Sequence, residues 1–175
     1  ALYISLFVFL ASGITLVTLT SWWLLLVGLA VGLGIFAYSG GPYPLSYHGL
    51  GDLAVLIFFG WVPVVTSFFI LRGTIADPVL WHLATAIGLA SVNILIVNNY
   101  RDVDEDRKAG KRTLLVRMGR DFAPRFYLTC GLLSMGFLYP IYSFWGMLLM
   151  LPYVIVFSMT HRQLQECEGS ELNKT

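Results

Sequence analysis

The first 51 residues of this chain contain no Asp, Glu, Lys or Arg. Charged residues make up 12% of the whole, where a soluble domain carries about a quarter. Hydrophobic residues make up 57%. A water-soluble domain could not leave that much apolar surface uncharged and stay dispersed, so the composition implies an integral membrane protein with the lipid bilayer as its partner. Cysteine is nearly absent. Cys130 lies in an apolar segment and Cys167 in a polar one, which excludes a disulfide framework. The start has no basic n-region, and its apolar run exceeds the ~7–15 residues of a secretory leader. It opens at Ala1 inside a hydrophobic run, which reads as a piece of a longer protein. No His/Cys metal cluster, Ser-His-Asp grouping, Walker loop or GxGxxG loop is readable.

The apolar residues fall into six stretches near the ~20 residues that cross a bilayer, at about 2–19, 22–38, 53–71, 79–97, 122–139 and 141–160. They are too long and continuous for the ~10-residue alternating strands of a membrane barrel. The expectation is an all-α, polytopic transmembrane bundle. Pro63 should kink the third span, a break that neighbouring helices can absorb. Gly28, Gly32 and Gly34 have the small-residue spacing of close helix packing. Residues 39–51 form a Gly/Pro/Tyr cap loop, residues 98–121 a charged loop, and residues 161–175 a polar tail.

Charge is concentrated in one place. Eight of the 11 Lys/Arg and five of the 10 Asp/Glu lie within residues 101–125. Basic loops stay in the cytoplasm, which places this loop there. Two spans separate it from the cap loop, so both face the same side. The other three connections hold one Arg, Arg72, and no Lys.

Within the loop, Asp102 and Asp106 are four residues apart. If the preceding helix continues past Asn99, both carboxylates point the same way, with Cβ atoms about 5–6 Å apart. Two such charges repel, and a hard divalent cation removes the conflict. Mg²⁺ commonly takes one or two carboxylates, with waters and phosphate oxygens filling the rest. Lys111, Arg112 and Arg117 are cations suited to phosphate oxygens. Gly110 permits a bend that returns them over the acids. Asn98 and Asn99, at the membrane edge, need partners and could orient Asp102. A DxxxD spacing alone is a weak signal. A solvated loop with helical ion pairs, such as Asp104 with Lys108, would also account for it. The basic residues do not mark a nucleic-acid surface, because the loop is membrane-bound and carries five acids. His48 could contact an acceptor carboxylate from the cap loop, His82 reads as a packing histidine, and His161 and Cys167 read as inert.

The run from Asn98 to Gly119 resembles the second aspartate-rich motif of the UbiA superfamily of intramembrane prenyltransferases. It fits the pattern NNxRDxxxDxxxGKxTLxVRxG of the branch that prenylates 1,4-dihydroxy-2-naphthoate in menaquinone synthesis, through Asn98, Asn99, Arg101, Asp102, Asp106, Gly110, Lys111, Thr113, Leu114, Val116, Arg117 and Gly119. A second stretch is similar to the loop before that family's fifth helix: Tyr38 to Leu45, Tyr47 to Asp52, then Phe58, Phe59 and Gly60. The resemblance implies a nine-helix bundle around a central cavity. It implies Mg²⁺-dependent transfer from a polyprenyl diphosphate to an aromatic acceptor, 1,4-dihydroxy-2-naphthoate, with loss of the acceptor's carboxylate. Asp102 and Asp106 would hold Mg²⁺, Lys111 and Arg117 would neutralise diphosphate with help from Arg101, and Asn98 and Asn99 would orient the metal site. Tyr38, Tyr43, Tyr47 and Asp52 would lie near the reacting carbon. The family's first aspartate motif, of NDxxDxxxD type, is absent, and the six spans correspond to the third through eighth helices. This polypeptide alone is therefore expected to be inactive within an active parent protein. Another aromatic acceptor, or a transporter-like bundle without catalysis, is the alternative. The CDP-alcohol phosphotransferases share a DxxxD end but not this chain's flanks. Prenyl chain length depends on cavity depth, which no pattern in the sequence encodes, and nothing in it bears on oligomeric state.

Overall fold

A computed structural model of the chain describes residues 2–141 and 144–172. Among the described residues there is no strand. The order is α1 (Leu2–Leu19), α2 (Leu24–Ser39), a 3₁₀ turn (Leu45–Tyr47), α3 (Gly51–Val55), a π-helical turn (Leu56–Trp61), α4 (Val62–Arg72), α5 (Pro78–Arg101), α6 (Val103–Lys108), α7 (Leu114–Met118), α8 (Phe122–Phe137), a 3₁₀ turn (Tyr139–Ile141) and α9 (Phe144–Leu172). The continuous run Gly51–Arg72 and helix α5 are each long and apolar enough to cross a membrane. Hydrocarbon offers no partner for a backbone amide, so an apolar chain there must bond to itself as helix. The protein is a polytopic transmembrane helix bundle. Among the described residues, each of the six apolar stretches of the sequence is largely helix. Helix α9 runs on to Leu172, through residues that read as a polar tail. Leu164 stays buried two turns beyond the buried Phe157, on the same face, and so continues the packing stripe.

Helix α5 is the centre of the bundle and packs on α8 and on the π turn. Asp77 caps its start by accepting from the Val79 amide at 2.9 Å, with Pro78 at the first helical position. The buried Ser134 hydroxyl of α8 donates to the Ala86 carbonyl of α5 at 2.8 Å. On the other side, Gly60 and Gly88 let two backbones meet. A Cβ on Gly60 would lie 2.5 Å from the Gly88 Cα and 2.6 Å from the Ala84 oxygen. The glycines that the sequence singles out behave differently. A Cβ on Gly28 or Gly32 would meet nothing within 4 Å, and of that set only Gly34 packs, against the Phe58 ring. Glycine spacing along one helix cannot tell which face a neighbour will cover.

Pro63 sits in the first turn of α4, directly after the π turn. Proline donates no amide proton, and its ring crowds the carbonyl four residues back. The wider i→i+5 bonding of the π turn, in which the Val62 amide reaches the Ile57 carbonyl, relieves that crowding. The irregularity that the sequence places at Pro63 takes the form of a π turn that ends just before it.

Substituting Gly60→Ala should cost about 1–3 kcal/mol, because backbone on both sides cannot yield. Gly28→Ala should be neutral or slightly stabilising. Thermal midpoints in detergent micelles compare the two, and an unchanged midpoint for Gly60→Ala would contradict the close crossing.

Candidate active site

The charged loop folds in a chain of local steps. Helix α5 ends at Arg101, and Asp102 (φ −96°, ψ 8°) breaks the run before α6 begins at Val103. Val103 and Asp106 are buried and share the inner face of α6, three residues apart. Glycine then turns the chain back. Gly110 has φ +75°, its amide bonds to the Arg107 carbonyl at 3.1 Å, and the Lys111 amide bonds to the Asp106 carbonyl at 2.9 Å. This is a Schellman closure, which needs a left-handed residue. It returns Lys111 over Asp106, where its Nζ lies 2.6 Å from Oδ1. The bend foreseen at Gly110 is present and has a defined hydrogen-bond pattern.

The expected side-by-side placement of Asp102 and Asp106 is not present. The helix does not run unbroken past Asn99 to Asp106. Asp102 lies at the surface in a two-point pair with Arg101, at 2.7 and 3.0 Å, while Asp106 faces inward with 9% of its side chain exposed. Burial of Val103 fixes which face of α6 turns in, and the neighbouring Arg101 fork holds Asp102 out. Asp104 pairs with Arg120 at 2.9 Å and Arg107 at 3.6 Å, not with Lys108.

The cap loop is fastened to this loop. The Arg112 amide donates to the Tyr47 carbonyl at 2.8 Å, and Arg117 donates to the His48 carbonyl at 2.9 Å. Gly49 (φ +75°) is where the two backbones touch, since a Cβ there would lie 2.9 Å from the Arg112 oxygen. The Ser46 hydroxyl donates to the Tyr38 carbonyl at 2.7 Å. His48 bonds through Nδ1 to the Pro44 carbonyl at 2.8 Å and stacks on Tyr43. His48 and Tyr43 therefore hold the loop together. Arg117 is tied to the cap and does not line the pocket beneath it.

That pocket has a volume of about 310 Å³. Its polar lining includes Tyr38, Tyr47, Asp52, Asn99, Asp106 and Lys111, and Asp52 is buried in the first turn of α3. Ser39 and Ser46 join them without having been singled out by sequence, and so does Thr113, which the sequence marked only as part of the family pattern. Thr113 carries a readable signal, because it caps α7 by accepting from the Val116 amide. Lys111 lies 5.9 Å from the Tyr47 ring centroid. Two carboxyl groups and one ammonium give the lining a formal charge of one unit negative.

A second cavity of about 590 Å³ abuts the first and shares Tyr38, Ser39 and Leu95 with it. Its walls are apolar side chains of α2, of α3 with the π turn, and of α5, and Asn98 stands at its polar end. Of the residues expected at the site, Tyr38, Tyr47, Asp52, Asn99, Asp106 and Lys111 are brought to one pocket and Asn98 to its neighbour. Arg101, Asp102, Tyr43 and Arg117 stand outside both.

Comparison with known proteins places these features. The sequence profile of the UbiA prenyltransferase family matches residues 1–174. The chain is 39% identical over 135 residues to a 1,4-dihydroxy-2-naphthoate octaprenyltransferase of Escherichia coli, covering 73% of this chain and 42% of that protein. A Bacillus subtilis protein of the same name is 40% identical over 61% of this chain and 34% of its own length. A Synechocystis 2-carboxy-1,4-naphthoquinone phytyltransferase is 32% identical over 63% of this chain and 38% of its own. The chain thus spans about two fifths of the length of the curated relatives it matches. No solved structure matches it.

The hydrogen bond to Asp106 keeps the Lys111 ammonium above its ordinary range, and the Arg101 guanidinium holds the Asp102 carboxyl below its own. The stabilisation from Lys111 is complete below its unfolded value of ~10.4 and is lost as pH rises through the elevated folded value. The stabilisation from Asp102 is complete above ~3.9 and is lost as pH falls through the depressed one. Both pairs should stay intact across neutral pH. In an NMR titration of the Lys111 ε-methylene, Asp106→Asn should lower the midpoint toward the ordinary lysine value. An unshifted midpoint would mean that the pair does not exist in solution.

Proposed function

The chain belongs to the UbiA prenyltransferase family, and we propose that its two adjoining cavities hold the two ends of a polyprenyl diphosphate. In the whole protein, the prenyl group would pass to 1,4-dihydroxy-2-naphthoate with loss of the acceptor's carboxylate, giving demethylmenaquinone in menaquinone synthesis. One observation carries the reading: a pocket with acids and a lysine meets an apolar cavity at Tyr38, Ser39 and Leu95. An anionic head with a long apolar tail fits that division. The acceptor is supported by the names of the relatives.

The residues present fit Mg²⁺, although no group of three His, Cys, Asp or Glu side chains gathers among the described residues. Mg²⁺ needs only one or two carboxylates when phosphate and water supply its other oxygens. A pocket one unit negative repels a diphosphate unless a cation enters with it. At an effective dielectric of ~20, one such charge pair at 4 Å is worth about 4 kcal/mol. Asp106 would hold the ion from the pocket wall, while Asp102 stays outside in its pair with Arg101, and the ion's chemistry when bound is to offset the negative charge of the leaving diphosphate.

The chain's own residues do the rest. Lys111 exchanges its bond to Asp106 for a charge-assisted one to a diphosphate oxygen. Asn99 and Thr113 orient the headgroup from the pocket wall. Tyr38 stands where the cavities join and so presents its ring beside the ionising carbon, where cation–π attraction is worth about 0.5–2 kcal/mol. The apolar walls beyond keep water from the allylic cation. Asp52 and Tyr47 border the same pocket. Arg117 acts through the cap loop, which it fastens over the site. The basic loop is assigned to the cytoplasmic face.

In the whole protein, Asp106→Ala should lower kcat by about 100-fold or more and abolish Mg²⁺-dependent binding of farnesyl diphosphate in calorimetry. Near wild-type turnover would remove Asp106 from the reaction. A cysteine at Arg112 should react with an impermeant maleimide in inverted vesicles and not in intact cells, and the opposite pattern would reverse the orientation.

A further inference from the structure

The apolar cavity is not uniform along its depth. Its rim is Tyr38 and Asn98, and its far end is Val31 and Ser91, seven residues away on each helix. At 1.5 Å per helical residue that is a depth of about 10 Å. Gly34 lies one turn in from Tyr38. There the Phe58 ring crosses from the π turn and rests on the Gly34 backbone, so closely that even a methyl on Gly34 would collide with the ring. The three nearest atoms that such a methyl would meet all belong to the tip of this one side chain.

Phe58 and Phe59 line the cavity from the π turn, with Ala54 and Val55 of α3 one turn earlier on the same face. The turn is held in place by the Gly60–Gly88 crossing, which cannot move without separating the two backbones. Phe58 is therefore anchored at its Cα and adjustable only at its ring. Ile35, Phe59 and Ile94, which also line the cavity, are each more than 60% exposed in this chain.

We infer that Phe58, seated on Gly34, is a specificity-determining residue that sets how long an isoprenoid tail the cavity takes in. This rests on the reading of the cavities given above. Removing the ring widens the passage between Gly34 and the far end at Val31 and Ser91. Adding a methyl to Gly34 displaces the ring and narrows that passage.

The experiment is a binding series on the whole protein in detergent with Mg²⁺, using geranyl, farnesyl, geranylgeranyl and octaprenyl diphosphates. Phe58→Ala should move the affinity ratio of geranylgeranyl to geranyl diphosphate at least about 10-fold toward the longer chain, the scale at which apolar pockets discriminate size. Gly34→Ala keeps the ring and should move the same ratio the other way. It decides the matter if Phe58→Ala does not fold. If the ligands bind and neither folded variant changes the ranking, the role of Phe58 is refuted while the diphosphate site stands. If no prenyl diphosphate binds the wild-type protein, the underlying reading fails first.

Discussion

A carboxylate buried at the end of a membrane helix bundle has to be compensated, and the site is organised around that need. Asp106 is turned inward because it shares a face with Val103, and burying an isolated charge is costly. The nearest cation arrives through backbone geometry. A left-handed glycine closes α6 and brings Lys111 back over the acid it follows by five residues. The same reversal aims Arg112 and Arg117 at the cap loop, so one short turn both neutralises the acid and fastens the roof.

The rest of the bundle supplies two boundary conditions. Helix α5 carries the acid loop at one end and the Gly88 crossing near its middle, so it connects the polar site to the π turn. The cap loop leads directly into α3, whose first turn places Asp52 beneath it. The polar pocket and the apolar cavity meet because α2, α3 and α5 all reach Tyr38, Ser39 and Leu95 at one level. An amphiphile with its charge at the bundle end and its tail in the hydrocarbon layer suits that arrangement.

Much of this was legible in the chain. The long uncharged stretches, interrupted only at turns, announced a helical membrane bundle. The loop from Asn98 to Gly119 announced the acid, lysine and glycine that build the site, and counting spans put the cap loop on the same side. Other features were not legible. Asp102 and Asp106 have helical spacing, yet one residue leaving the helix at Asp102 separates their surroundings, and that break depends on burial of Val103. Arg117 reads as a phosphate ligand by type, but its distance to the His48 carbonyl is set by a contact across 69 residues. Gly28 and Gly32 look like packing glycines and meet nothing within this chain, whereas Gly60, which the sequence marked only as part of a family-like stretch, touches another backbone.

Composition and local chemistry thus determined the class of the protein, the placement of its helices and the turn that pairs Lys111 with Asp106. These follow from hydrophobic length, from the bilayer's refusal of unpaired backbone, and from hydrogen bonds spanning a few residues. Only tertiary structure decided which acid faces inward, which arginine holds the roof, and where the Phe58 ring meets the Gly34 backbone. Those outcomes depend on which faces of distant helices meet, and a residue's own neighbours in the chain carry no record of that.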